Sequence, residues 1–316
     1  MDTNGPYDVV TMGRVGVDLY PEQSGVPLSE VRTFAKSLGG SPTNVAVGAA
    51  RYGHRAAVIT KVGADGFGEY VRAALRRFGV DDRFVGVDPE LRTPVVFCEL
   101  LPPESPTIVF YREPTAPDIQ LAVHELDLET IREARVFWTT GTGLSDEPSR
   151  SATFAALEAR DRGRITVHDL DYRPAFWPSS EEAGDRQRRA LAHATVAVGN
   201  VEECRVAVGD GDAEVLAGRI RGLGVDLAIV KLGGNGVLAS WEGGTDRFQA
   251  VPVHVVNGLG AGDAFGAAVC HGLLEGWDIP RTIRFANAAG AHVAARLACA
   301  DEMPDEAQVE ALLVDV

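Results

Sequence analysis

Apolar β-branched runs and helical periods alternate along most of the chain. Asp8 to Met12 reads as a strand and Ser41 to Tyr52 as a helix; Ala56 to Val62 with Gly66 to Phe78, and Arg135 to Thr139 with Ser149 to Arg162, repeat the pair. Further strands are expected at Ile165 to Asp169, Thr195 to Val198 and Leu227 to Leu232. Strand, helix, strand at this spacing predicts an α/β protein of three layers, a mostly parallel central sheet with helices on both faces. Ligands of such sheets collect beyond the carboxyl ends of the strands, so the loops that follow strands are where chemistry is expected.

Two stretches break the alternation. Arg14 to Ser37 has no long helical period, and residues 93 to 112 read as two short strands, Pro94 to Leu101 and Thr107 to Tyr111, around the turn Pro102-Pro103-Glu104-Ser105. We read both as parts of a small β lid, about 14–37 and 93–112, inserted in one domain spanning 1–316; edge strands of the main sheet are the alternative. No low-complexity linker or repeat interrupts the chain.

Charge narrows the partners. The 30 Lys and Arg against 45 Asp and Glu leave a net charge of −15, which argues against nucleic acid or an anionic membrane as partner, since phosphate surfaces need clustered cations. Cys98, Cys204, Cys270 and Cys299 are scattered without a C-x-x-C pair, and the seven His show no metal-ligand spacing. With no basic leader followed by an apolar segment and no 18-residue apolar run, a cytoplasmic location is expected.

The most informative segment is Val255-Val256-Asn257-Gly258-Leu259-Gly260-Ala261-Gly262-Asp263, read as strand end, glycine turn and helix start. The N–H groups of Gly260, Ala261 and Gly262 can converge there on an anion. Asp263 at the same mouth suits a base that takes a proton from a hydroxyl attacking a bound phosphate, although Asp also caps helices well. A second segment, Gly39-Gly40-Ser41-Pro42-Thr43-Asn44, lets a ligand approach the backbone and offers the Asn44 amide to a sugar hydroxyl; an ordinary capped helix with Ser41 as N-cap is the plainer reading.

These segments, in this order and about 220 residues apart, resemble the two signatures of the ribokinase-like, or PfkB, carbohydrate kinases. Gly13 to Asp18 looks like that family's first-strand sugar-binding turn, Asn200-x-x-Glu203 like its N-x-x-E element, and Lys231-Leu232-Gly233-Gly234-Asn235-Gly236 like its nucleotide-side strand and loop. Asn287 falls in a helix, Phe285 to Ala295, similar to the one beside the adenine pocket. The resemblance implies a ribokinase-like fold and ATP-dependent phosphoryl transfer to an alcohol, with Asp263 as base and the 260–262 amides as anion hole. It further implies that Asp18, Gly39, Gly40 and Asn44 bind the sugar, that Asn200, Lys231, Gly233, Gly236 and Asn287 bind ATP, and that Glu203 reaches Mg²⁺ through water. It leaves open a homodimer through the lid.

Arginines bear on the substrate. Arg112 leaves the lid in Tyr111-Arg112-Glu113-Pro114, and Arg173 follows a parallel strand in Asp169-x-Asp171-Tyr172-Arg173-Pro174. A neutral sugar needs no cation, whereas a sugar acid presents a carboxylate that Arg grips with two prongs; ion pairs to Glu113, Asp169 or Asp171 are the competing use. With Gly13-Arg14-Val15-Gly16-Val17-Asp18, these segments resemble the branch that phosphorylates the C6 hydroxyl of 5-dehydro-2-deoxygluconate in inositol catabolism. 2-Keto-3-deoxygluconate kinases share this logic and often carry Asn where this chain has Asp171. Asn257-Gly258 stand where many relatives place Asp-Thr at an activating K⁺ site, so K⁺ dependence is not expected. Gly13-x-x-Gly16 is not a dinucleotide fingerprint, which disfavours a dehydrogenase. A sugar-sensing protein built on the same fold would be marked by loss of the base, and Asp263 is present.

Overall fold

A computed structural model describes residues 6–23, 25–103 and 106–314. Glu104 and Ser105 of the expected lid turn lie outside the described residues. The chain forms two units. The first joins the residues up to Gly13 to Ile119–Ala250, and the second joins Arg14–Asp118 to the residues from Val251 onward.

In the first unit, five parallel strands lie in the order Leu227–Lys231, Val196–Asn200, Ile165–Asp169, Val136–Thr140 and Val9–Met12. Two antiparallel strands, Val237–Trp241 and then Gly244–Phe248, extend the sheet beyond Leu227–Lys231. The inner strands are near-continuous apolar runs because both of their faces are covered, with Phe137 and Trp138 fully buried. Helix Ala213–Gly222 lays Leu216 and Ile220 on this core beside Ala228 and Val230. Arg160, buried at the end of helix Ser149–Arg160, donates to the carbonyls of Ile131, Ala134 and Ile165 at 2.9, 2.6 and 2.8 Å, so one cation satisfies backbone acceptors that would otherwise be stranded. Register brings the strand ends together: Asn200 lies opposite Lys231, and Asp169 opposite Val198.

In the second unit, the two irregular stretches pair with each other as a separate sheet in the order Phe34–Gly39, Gly16–Pro21, Val95–Glu99, Thr107–Tyr111. This is the small β sheet expected of the lid. Asp18, Val96 and Phe110 share one face, and Leu19, Phe97 and Val109 the other, as their cross-strand pairing requires. The second face leaves Val109 and Tyr111 exposed. Strand Ala56–Gly63 pairs in parallel with Val85–Asp88. Helices Ser41–Arg51, Ala261–Leu274 and Ile279–Ala294 pack on one another. Their close approach depends on small residues: a Cβ on Gly48 would lie 2.4 Å from that of Ala267.

Val255-Val256 is not a strand end. Residues 251–256 form no strand, and the N–H groups of Val256 and Asn257 both donate to the Ala294 carbonyl at 2.8 and 3.1 Å. Pro252 removes one ladder donor, and a helix end, not a neighbouring strand, takes those of Val256 and Asn257.

Candidate active site

Helix Ala261–Leu274 begins at Gly260, which has φ +79°. The first-turn N–H groups of Ala261, Gly262 and Asp263 have no acceptor within their own helix, and the helix dipole adds partial positive charge at this end. A glycine is required at the turn: a Cβ on Gly260 would sit 2.4 Å from the Cys299 sulfur. Asp263 directs its carboxylate to the start of helix Ser41–Arg51, where Asn44 Nδ2 donates to Oδ2 at 2.7 Å. The amide expected to meet a sugar hydroxyl thus holds the Asp263 carboxylate, and its other end, Asn44 Oδ1, is buried with no acceptor role filled among the described residues. The N-cap of that helix is Gly40, not Ser41.

Asp18 lies on the same face of the lid sheet as Val96 and Phe110. The Tyr20 hydroxyl donates to Asp18 Oδ2 at 3.0 Å and lies 2.8 Å from the Cys299 sulfur. Burial pushes the Asp18 carboxyl up to about 6, assisted by the negative charge of Asp263 and opposed by the Tyr20 hydrogen bond and by Arg14. Gly39 is glycine for a local reason, since a Cβ there would fall 2.1 Å from Asp18 Oδ1. At Gly40, with φ +105°, a Cβ would meet the Arg14 carbonyl at 2.5 Å.

A pH dependence follows from the raised carboxyl. The free unfolded chain ionises Asp18 near pH 3.8 and the folded one near 6, so this group costs stability as pH rises through that window. In the folded protein its acceptor oxygens are lost as pH falls through about 6. We expect kcat/KM for the acceptor to fall about fivefold between pH 6 and pH 5. A profile flat to pH 5 would show that Asp18 does not take a hydrogen bond from the acceptor.

Arg112 is bound by Asp118, not by Glu113: its Nη2 donates to both carboxylate oxygens at 2.9 and 3.1 Å. Asp118 also accepts the Val15 N–H at 3.3 Å, so one buried carboxylate ties the guanidinium to the turn that carries Arg14. The Arg14 guanidinium lies 5.7 Å from the centroid of the Phe110 ring. Within the second unit, Asp18, Asn44 and Asp263 are thereby joined by contacts or charge, and Asp118 holds both Arg112 and the N–H of Val15, the residue after Arg14. Asn287 lies half-buried on helix Ile279–Ala294, one turn before Gly290, which packs on the Ala261 carbonyl.

The first unit gathers the other expected residues at its strand ends. A cavity of about 690 Å³ is lined by Asn200, Lys231, Gly233, Gly234 and Gln249, among others. Lys231 Nζ lies 3.9 Å from Asp169 Oδ2. Asn200-x-x-Glu203 forms a reciprocal capping box: Asn200 Oδ1 accepts the Glu203 N–H at 2.9 Å, and Glu203 Oε2 accepts the Asn200 N–H at 2.7 Å. Gly236, at φ +85°, allows the loop to double back, because a Cβ would strike the Phe248 carbonyl at 1.9 Å. Arg173 pairs with Asp171 at 2.9 Å, and Thr142 Oγ1 donates to the same carboxylate at 3.0 Å. His168 is core: its ring nitrogens meet Thr139 Oγ1 and Gln187 Oε1 at 2.9 and 2.7 Å, and burial pushes it down to about 4.

Tyr20 and Asp118 were not anticipated from the sequence, and Asp169, expected only as an ion-pair partner of an arginine, lies beside Lys231 instead. Tyr20 carried a signal, since a strand places residues two apart on one face and so sets Asp18 beside it. Asp118 carried none, because its bond to Val15 spans 103 residues of chain.

A sequence model of the pfkB family carbohydrate kinases matches residues 7–306. A 5-dehydro-2-deoxygluconokinase of Clostridium tetani is 33% identical over 317 residues, covering 98% of this chain and 93% of its own. Among solved structures, a fructokinase with bound ATP from Xylella fastidiosa superposes with a TM-score of 0.86 over 98% of this chain and 99% of its own, at 24% identity, which shows the ribokinase-like fold. A Vibrio cholerae fructokinase in a fructose, ADP and calcium ion bound form is 27% identical with a TM-score of 0.85, covering 97% and 99%. The chain belongs to the pfkB family of carbohydrate kinases, phosphotransferases with an alcohol acceptor.

Proposed function

We propose that this kinase transfers the γ-phosphoryl group of ATP to the terminal C6 hydroxyl of a keto-deoxy sugar acid, 5-dehydro-2-deoxygluconate. The observation that carries the reading is the Asn44–Asp263 pair at the mouth of helix Ala261–Leu274. Asp263 accepts the hydroxyl proton, the oxygen bonds to the γ-phosphorus, and the bond to the ADP oxygen breaks. The first-turn amides hold the transferring group as charge shifts between its oxygens. Asn44 fixes the carboxylate, and its buried Oδ1 is placed to accept from an acceptor hydroxyl. Asp18 accepts from a second hydroxyl, held in orientation by Tyr20.

The nucleotide falls to the first unit, where Lys231 and the 233–236 loop suit phosphates. Asp169, 3.9 Å from Lys231 Nζ, and the buried Glu203 of the Asn200 capping box are oxygen donors of the kind that fits a hard divalent cation keeping much of its water. The cation would neutralise charge on the phosphates when bound. The Vibrio cholerae fructokinase bound to ADP and a calcium ion supports a divalent cation beside the nucleotide. Asn257 spends its amide on the Leu297 carbonyl at 2.7 Å and the Leu259 N–H at 2.9 Å, which supports turnover without K⁺.

Two observations favour an acid over a neutral sugar: the Arg112 guanidinium, held by Asp118 beside the turn that carries Arg14, and the name carried by relatives about a third identical. The test is Mg-ATP-dependent phosphorylation of 5-dehydro-2-deoxygluconate, 2-keto-3-deoxygluconate, fructose and ribose, in wild type and Arg112→Ala. The first acid is expected to give the highest kcat/KM. Loss of Arg112 is expected to raise KM for the acid ~10-fold or more, the worth of a charged hydrogen bond, and to leave the neutral sugars within about threefold. Preference for 2-keto-3-deoxygluconate would move the ketone, and equal effects on acid and sugar would remove the clamp.

A further inference from the structure

We propose that His54, His271 and Glu275 form a Zn²⁺ site at the opposite end of the two helices that carry Asn44 and Asp263. His271 and Glu275 stand four residues apart at the end of helix Ala261–Leu274, and so share one face of it. His54 follows helix Ser41–Arg51. One ligand atom from each of the three lies within 4.8 Å of the others. The helices run side by side in the same direction, since Asn44 meets Asp263 at their starts and His54 Nε2 meets His271 Nδ1, at 2.8 Å, at their ends.

That 2.8 Å contact shares a single proton between two imidazoles. A cation in its place needs the nitrogens about 3.3 Å apart for tetrahedral bonds near 2.0–2.1 Å, a small widening that the loop position of His54 permits. The proton moves to His54 Nδ1, so both rings stay neutral, the form that binds metal. Ligation through Nδ1 leaves the proton of His271 on Nε2. That atom is buried with no hydrogen-bond partner and lies 3.9 Å from Glu306 Oε2, so a small approach of Glu306 would complete the carboxylate–histidine–metal arrangement that orients ligating imidazoles.

The charges around the pair are Glu275 and Glu306 on one side and Arg281, which lies over the Trp277 ring and 3.8 Å from Glu310. Tyr52, stacked on His271 at 4.8 Å, and Phe285 wall the ring. Two imidazoles and one carboxylate with water as fourth ligand match Zn²⁺ better than Mg²⁺ or Ca²⁺, which want oxygen throughout. Bound there, the ion ties the two helices at the ends remote from the base.

Equilibrium dialysis of the metal-stripped full chain against Zn²⁺ tests this, with Co²⁺ as spectroscopic probe. One equivalent is expected, with a tetrahedral Co²⁺ visible spectrum and a melting temperature raised by Zn²⁺. His54→Gln and the exposed Glu275→Gln are each expected to weaken binding tenfold or more and remove the thermal shift. Because Glu275 is exposed, its variant keeps the fold even if substitution of buried His271 does not. Absence of stoichiometric Zn²⁺ on folded wild-type protein, or wild-type affinity in Glu275→Gln and His54→Gln, would overturn the site and leave a hydrogen-bonded histidine pair.

Discussion

Asp263→Asn is expected to lower kcat by ~10²- to 10⁴-fold, the usual worth of a positioned general base, with ATP affinity unchanged. The substitution is close to isosteric, and the amide that replaces the carboxylate can rotate to present its oxygen to Asn44 Nδ2, the present donor at 2.7 Å. Geometry at the mouth is therefore retained and only proton acceptance is lost. The check is steady-state turnover at saturating ATP and acceptor beside calorimetric ATP binding. A variant that keeps more than about a tenth of kcat would take the base role from Asp263. Loss of ATP binding together with turnover would instead point to a positional role.

Gly260→Ala is expected to cost a further large factor for a different reason. An alanine at φ +79° adds about 1–2 kcal/mol of backbone strain, and its Cβ would meet the Cys299 sulfur at 2.4 Å and the Cys299 Cα at 3.2 Å. The turn must shift, and the first-turn amides proposed to hold the phosphoryl group shift with it. Losing one donor from a comparable anion hole costs ~10²- to 10³-fold in kcat. Cys299→Gly added to Gly260→Ala removes the contact with sulfur but not the strain. It is expected to restore part of the rate, and the single and double variants, compared by kcat at saturation, separate the two causes. Wild-type kcat in Gly260→Ala would show that these amides do not contact the transferring group.

The alternation of strands and helices was readable because each strand of the parallel sheet is buried on both faces and therefore continuous in apolar residues. Ile165–Asp169 and Thr107–Tyr111 have the expected ends, most other expected elements shift by a residue or two where ends fray, and the helix expected from Phe285 to Ala295 begins six residues earlier, at Ile279. The lid was readable from the absence of a helical period. Val255-Val256 misled because β-branched composition does not supply a pairing partner, and Ala294 provides the acceptor instead.

At the site, residue types were legible and partners were not. Gly260, Gly39 and Gly40 announced close approach, and the structure finds a specific atom for each to avoid. The Asn44–Asp263 bond spans 219 residues and Tyr20–Cys299 spans 279, distances across which local pattern carries no information. Asn200-x-x-Glu203 shows the opposite limit. Its spacing serves a capping box and a cation-binding element equally, since both ask for an amide and a carboxylate on one helical turn.

The most direct test of the account is a crystal structure of the full chain with acceptor and a non-hydrolysable ATP analogue. The account predicts the reacting hydroxyl within about 2.6–3.2 Å of an Asp263 carboxylate oxygen, with first-turn amides of the Gly260 helix on the terminal phosphate. A hydroxyl bonded elsewhere, with Asp263 still turned only to Asn44 and out of reach, would contradict it.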